Sequence, residues 1–171
     1  MIIPRGPRMK DESRSAGSPA VEKYIIFDVE GRMYALPLER VTSVSHIPEI
    51  TPIPDSSRTV AGVINHRGDI VAVLDLSRVL GGKGRDGKGS NMLLYEHEGE
   101  TLGLVVDSIS DIREVDAECI LEPSAHLASE LGSHVIGFIG NDEHPIIILD
   151  LERKIEELVY DRRANDIKEK E

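Results

Sequence analysis

The strongest constraint on this fold is that the sequence repeats itself. The stretch GVINHRGDIVAVLDL, residues 62–76, returns seventy-five residues later as GFIGNDEHPIIILDL, its strand-like parts kept and its middle replaced. Upstream, FDVEGRMYALPLERVTSV from Phe27 is matched by YEHEGETLGLVVDSISDI from Tyr95, which lays Glu98-Gly99 over Glu30-Gly31 and Leu104 over Leu36. Across the twenty positions from Ala61 and from Ile136, six are identical: Gly62/Gly137, Ile64/Ile139, Leu74/Leu149, Asp75/Asp150, Leu76/Leu151 and Arg78/Arg153. Average residue usage predicts about one such match. The chain is an internal duplication of one small β unit.

Within each unit, short β-branched runs are separated by turn residues. KYIIFDVE and GRMYALPL read as a hairpin turning at Glu30-Gly31. RVTSVSHIPEI keeps the β-branched bias, and TVAGVIN and DIVAVLDL flank HRG as two more strands. LSRVL after Asp75 makes a short helix. A unit of about 60 residues with some five strands closes into a barrel, because closure removes exposed edges. The expected fold is mainly β: two five-stranded β-barrels sharing a hydrophobic core, with short helices. The first subdomain spans about 21–80 and the second about 91–160. They are joined by GGKGRDGKGS, residues 81–90, which has no apolar residue and reads as a flexible connector. Leu151, Ile155, Leu158 and Val159 recur at helical spacing and predict a closing amphipathic helix.

Composition excludes several functions. With 171 residues, 40% of them hydrophobic, the chain can hide roughly two thirds of its unfolded surface without staples. Its net charge of −11 repels phosphate backbones and anionic membranes, so nucleic acid is not expected as the partner. Cys119 is the only cysteine, which permits no internal disulfide and suits a reducing compartment. It reads as a small buried hydrophobe. No stretch has the length of a signal-peptide core or a membrane span, and a cytoplasmic location is expected. Residues 1–20 and 161–171 are polar and expected as mobile tails.

The duplication also sorts structural from functional residues. Asp75 and Asp150 occur in both copies and read as helix N-caps rather than catalytic carboxylates. The turn Asn65-His66-Arg67-Gly68 occurs in one copy only; the other has Gly140-Asn141-Asp142-Glu143, opposite in charge. The guanidinium of Arg67 can present a planar fork to a partner's carboxylates or carbonyls, which lysine cannot reproduce. Asn65 can brace the loop or offer both a donor and an acceptor. The alternative is that Arg67 pairs with Asp69 or another surface acid, worth under about 1 kcal/mol.

Enzyme readings find little support. GKGRDGK, residues 82–88, fits the first seven positions of a phosphate-binding loop, but Gly89 stands where the magnesium-holding hydroxyl is needed, and a strand-like run follows. The six histidines are never spaced i, i+3 or i, i+4, so no local metal cluster is expected. There is no G-x-S-x-G turn. No catalysis, cofactor or metal is expected.

AGVINHRGDIVAVLDLSRVLG resembles the signature of the CheW-like coupling proteins of bacterial chemotaxis, and GETLGLVVDSISDIREV through HVIGFIGNDEHPIIILDLERKI resembles the rest of that domain. The resemblance covers about Val21 to Tyr160 as one CheW-like domain, 21–160. It implies SH3-like barrels and a non-catalytic adaptor with two partners: the regulatory domain of a CheA-type histidine kinase, and the cytoplasmic tip of a chemoreceptor. It implies recruitment to receptor arrays at the inner membrane. For receptor binding it points to Asn65, Arg67 and Gly68 of the turn, with Val41 and Ile64 beside an apolar groove; kinase-binding residues are not indicated. Three departures bear on partner choice: Ser43 where many members carry glutamate, His66 in place of leucine, and Ala72 in place of proline. These leave open a related scaffold with a soluble input partner or a non-flagellar output.

Overall fold

The computed structural model describes residues 20–84, 91–132, 134–141 and 143–170; the expected N-terminal tail up to residue 19 and residues 85–90 of the connector lie outside them. Strands β1 (Val21–Val29) and β2 (Arg32–Pro37) form the predicted hairpin. Its two-residue turn places Glu30 at φ 53° and Gly31 at φ 81°, the doubly left-handed geometry that matches strand twist. Asp28 Oδ1 accepts from the Gly31 amide at 3.1 Å and tightens that turn. The second copy repeats it: β6 (Asn91–His97) and β7 (Glu100–Val106) turn through Glu98 at φ 49° and Gly99 at φ 81°. Each hairpin is followed by a strand, β3 (Val41–His46) or β8 (Ser108–Asp116). A connector then leads to a second pair: β4 (Val60–His66) with β5 (Asp69–Asp75), and β9 (Val135–Ile139) with β10 (Ile146–Leu149).

The sheets do not follow the halves of the sequence. One sheet is ordered β8-β1-β2-β10-β9 and the other β3-β6-β7-β5-β4. Each takes its hairpin from one copy and three strands from the other, and each is joined by a parallel pair, β2 with β10 or β7 with β5. The expectation that residues 21–80 and 91–160 would each build a barrel of their own is corrected by this exchange. The sheets are also not closed: the edge strands β8 and β9, or β3 and β4, are not neighbours in either strand order. In place of closure, the connector of each copy lays one bridge on the edge, Thr51 on Val63 and Leu121 on Phe138. The SH3-like description remains compatible with these curled sheets.

Strand alternation produces three cores. In β1, Tyr24 and Ile26 face a core inside the first sheet, with Ala35, Val115, Ile146 and Ile148. Ile25, Phe27 and Val29 face the other way and meet Leu93, Tyr95, Leu104 and Val106 of the second sheet in a shared core. Ile64, Val71, Val73, Met92, Leu94 and Val105 fill the inside of the second sheet. Central strands buried on both faces explain the near-continuous aliphatic runs in the sequence.

Helix α1 (Leu76–Val79) is capped by Asp75, whose side chain accepts from the Ser77 amide at 3.1 Å. Helix α2 (Ala125–Leu131) is capped by Ser124. Helix α3 (Leu151–Lys170) is capped by Asp150, accepting from the Arg153 amide at 3.2 Å. Leu151 and Ile155 are buried in the shared core and Leu158 packs against it, but Val159 is 46% exposed. The segment expected as a polar tail from residue 161 continues this helix to Lys170. Cys119 is exposed, not buried as its residue type suggested, because it ends a single 3-10 turn with no buried residue.

Candidate functional site

The turn singled out in the sequence is a third two-residue hairpin. His66 pairs with Asp69, leaving Arg67 at φ 52° and Gly68 at φ 90° as its two central residues. The same backbone occurs at Glu30 and Glu98, so turn geometry alone accounts for the positive φ at Arg67. Asn65 Oδ1 accepts from the Gly68 amide at 3.0 Å and braces the tip, which leaves its side-chain amide to donate outward. Arg67 is exposed, and among the described residues neither Asp69 nor any other carboxylate pairs with it. In the second copy the corresponding connection is longer, running from Gly140 to Pro145 between β9 and β10. There Asn141 Oδ1 accepts from the amides of Glu143 and His144 at 3.1 and 2.9 Å.

Register extends the site from the tip along the sheet. Val41, Tyr95, Leu102, Ala72 and Val63 are consecutive cross-strand partners across all five strands of the second sheet. The duplication supplies an internal reference in the first sheet: Ile109, Phe27, Tyr34, Ile147 and Phe138 form the equivalent row. In that reference row every residue except half-buried Ile109 is buried. In the second sheet only Tyr95 is buried; Val41, Leu102, Ala72 and Val63 are half-buried, with Val41 and Leu102 packed against the shared core. Ala72 stands where the other copy has Ile147, so the side chain that would fill the middle of the row is missing. On the same face, two residues before Ala72 and opposite Asn65, Ile70 is 70% exposed. A recess of ≈ 400 Å³ runs there, lined by His66, Asp69, Ile70, Ala72, Glu100 and Leu102.

Asn65, Arg67 and Gly68 are thus brought together at one hairpin tip. Val41 shares the apolar row but lies on the opposite edge strand, four strand spacings or about 19 Å along the sheet from Val63. Ile64 is not brought to this face: strand alternation turns it to the other, where it is 3% exposed in a cluster with Val71, Val73 and Met92. Sequence reasoning missed Ile70 and Leu102 on the open face. The available signal was alternation, since burying Val71 and Val73 forces Ile70 and Ala72 outward. The departures also lie here: His66 is half-exposed in the last pair before the turn, Ala72 is in the row, and Ser43 pairs with Leu94 just past an irregularity in β3.

This surface offers half-buried aliphatic side chains, one exposed isoleucine and one exposed guanidinium. Among the described residues no group of three or more His, Cys, Asp or Glu could hold a metal ion. The glycine-rich stretch that resembles a phosphate loop falls mostly in 85–90, outside the described residues, and strand β6 follows it.

Comparison with known proteins agrees with this architecture. The CheW-like domain family profile matches residues 23–159. The chain is 26% identical over 132 residues to "Chemotaxis protein CheW" of Thermotoga maritima, covering 77% of this chain and 86% of that protein. It is 27% identical over 137 residues to "Protein FrzA" of Myxococcus xanthus, covering 78% and 85%. Among solved structures it is similar to scaffolding protein TtCheW from Thermoanaerobacter tengcongensis, with TM-score 0.67 and 28% identity over 76% of this chain and 89% of that one.

Proposed function

This chain belongs to the CheW-like domain family, and from that premise we propose that it is a non-catalytic adaptor coupling chemoreceptors to a CheA-type histidine kinase. The observation that carries the reading is the broken symmetry between the two sheets. Where the first sheet buries its cross-strand row, the second leaves Leu102, Ala72 and Val63 only half-buried beside Arg67 and Asn65. An amphipathic helix from a chemoreceptor's cytoplasmic tip fits such a strip, laying apolar residues along the row while Arg67 takes its carboxylates or carbonyls. Holding kinase and receptor on one body raises the effective concentration of each for the other and lets receptor state bias kinase activity. Among the described residues no helix is long and apolar enough to cross a membrane. A cytoplasmic protein recruited to receptor arrays at the inner membrane accords with that.

The test is binding of a receptor tip and of the kinase regulatory domain, both from the same genome, measured separately by calorimetry. Arg67→Glu is expected to weaken the receptor tip about ten- to a hundredfold and to leave kinase binding and the unfolding midpoint unchanged. Unchanged receptor affinity rejects the assignment of Arg67. Absence of kinase binding rejects the adaptor reading. A second reading, a CheW-like scaffold with a soluble input partner or a non-flagellar output, is favoured by Ser43, His66 and Ala72 at the site and by the likeness to FrzA. Retained kinase binding with no affinity for any receptor tip in the genome selects it.

A further inference from the structure

The four edge strands of the two sheets are not alike. Connectors bridge β4 and β9, and β3 borders the apolar row of the second sheet. Strand β8, nine residues long, is bonded among the described residues on one side only, to β1. Its hydrogen bonding follows from one end. Ala117 donates its amide to the Ala20 carbonyl at 2.9 Å, so antiparallel alternation gives β1 the bonds of Val115 and Arg113 and turns the N–H and C=O groups of Ile112 and Glu114 toward the open edge. Such a row of backbone groups is a template for another strand. Asp111, Ile112, Arg113 and Glu114 are all exposed there, Ile112 to 56%. The first copy has Ser43, Val44 and Ser45 where β8 has Asp111, Ile112 and Arg113, so an exposed aliphatic residue recurs at the centre while the flanking charges belong to β8 alone.

Those charges select the partner. Two copies of net charge −11 repel at a distance, so a surface that takes a second copy must be balanced locally. From Ser110 to Val115, with Lys23 beside them, it is: Arg113 lies 3.3 Å from Asp111, and Lys23 lies 3.6 Å from Glu114. Charges on an edge strand ordinarily keep it single, because like charges set opposite each other oppose pairing. In β8 they do so for every antiparallel self-pairing centred between Asp111 and Asp116 except one. Centring on Asp111, Arg113, Glu114 or Asp116 sets that residue against its own copy, and centring on Val115 sets Glu114 against Asp116. Centring on Ile112 sets Asp111 of each strand opposite Arg113 of the other and lays Ile112 on Ile112. That residue is also one whose backbone groups face outward, so the two copies can exchange N–H to C=O bonds at the centre.

We propose that β8 is a self-pairing edge: two copies of this chain join antiparallel about Ile112 on a twofold axis, so that their two five-stranded sheets become one continuous sheet with Asp111 and Arg113 alternating across the seam. The regular ladder ends at Ser110, an extra residue opposite the step from Ile26 to Phe27, so the contact is small and belongs with weak, reversible association. The test is sedimentation equilibrium from about 10 µM to about 1 mM on the full chain and on three variants, Asp111→Arg, Arg113→Asp and the charge swap Asp111→Arg/Arg113→Asp. The unaltered chain is expected to show a monomer–dimer equilibrium in that range. Each single variant should weaken dimerisation about tenfold or more, and the swap should restore it to within about threefold, with unfolding midpoints unchanged. The two single variants, mixed, should bind each other more tightly than either binds itself. Hydrogen exchange at the Ile112 and Glu114 amides should slow about tenfold as the concentration of the unaltered chain rises. A chain that stays monomeric throughout overturns the proposal. So does a dimer that both single variants leave unchanged, or a swap variant that associates no better than the single ones.

Discussion

Gly62 and Gly137 are glycine for a reason of space. A Cβ on Gly62 would meet the Thr51 carbonyl and lie 2.7 Å from Ile50 Cγ2, and one on Gly137 would lie 2.8 Å from the Leu121 carbonyl. These are the two places where a connector bridges the edge of its sheet. Gly62→Ala is expected to cost about 2 kcal/mol or more, since backbone must move and φ is +149°. Gly68→Ala, with open space at its Cβ but φ +90°, should cost about 1 kcal/mol; urea midpoints check both. Tyr95 gives a pH signature. Burial in the shared core, and then Glu152, push its phenol up to about 12, above the ordinary 10 of the unfolded chain. A raised folded pKa adds stability that is whole below pH 10 and lost as pH rises toward 12. Tyr95→Phe should flatten that part of the stability-against-pH curve. At this scale the duplication made the roles of Asp75 and Asp150 readable, because a cap is needed wherever a helix follows a strand. It gave no warning about Cys119, whose exposure depends on a 3-10 turn that residue type does not encode.

Helix α3 shows what periodicity can and cannot say. The spacing of Leu151, Ile155, Leu158 and Val159 announced a helix, and the first two residues are buried in the shared core. Val159, however, is 46% exposed, and Tyr160 and Ile167 are 73% and 62% exposed. An apolar stripe predicts a face, but how far the neighbouring surface extends beneath it is a property of the whole fold. Ile155→Ala should therefore cost about 2–4 kcal/mol. Removing residues 162–171 should change the unfolding midpoint by less than about 0.5 kcal/mol in stability. The β4–β5 hairpin was read more closely: its strands, its tip and the bracing role of Asn65 all followed from the residues between two aliphatic runs. The open face of that hairpin was overlooked because a strand buried on one side looks, residue by residue, much like one buried on both.

Across the whole molecule, the exchange of hairpins between the two sheets decides how the chain folds. Alternation identifies strands and their faces, but any hairpin of the right length satisfies any open sheet edge, so partner choice was hidden in the sequence while the repeat itself was plain. Residues 20–84 and 91–170, produced separately, should each lack stable structure by circular dichroism, because each half holds two strands of one sheet and three of the other. Mixed, they should reconstitute the fold. The full chain should unfold in one transition with coincident spectroscopic and calorimetric curves. An independently folded half, or two separated transitions, would contradict the interleaving.

The same interleaving leaves the chain one link short of a ring. The glycine-rich connector carries the backbone from the helix of the first copy to the leading hairpin of the second, and its symmetric counterpart would run from α3 back to β1. A polar linker long enough to return from Lys170, past the buried turns of α3, to Val21, with a new opening between Gly84 and Asn91, should move the seam without altering any strand neighbour. In such a circular permutant the first copy would become the second, and where the chain begins would prove to be a choice that the architecture does not make.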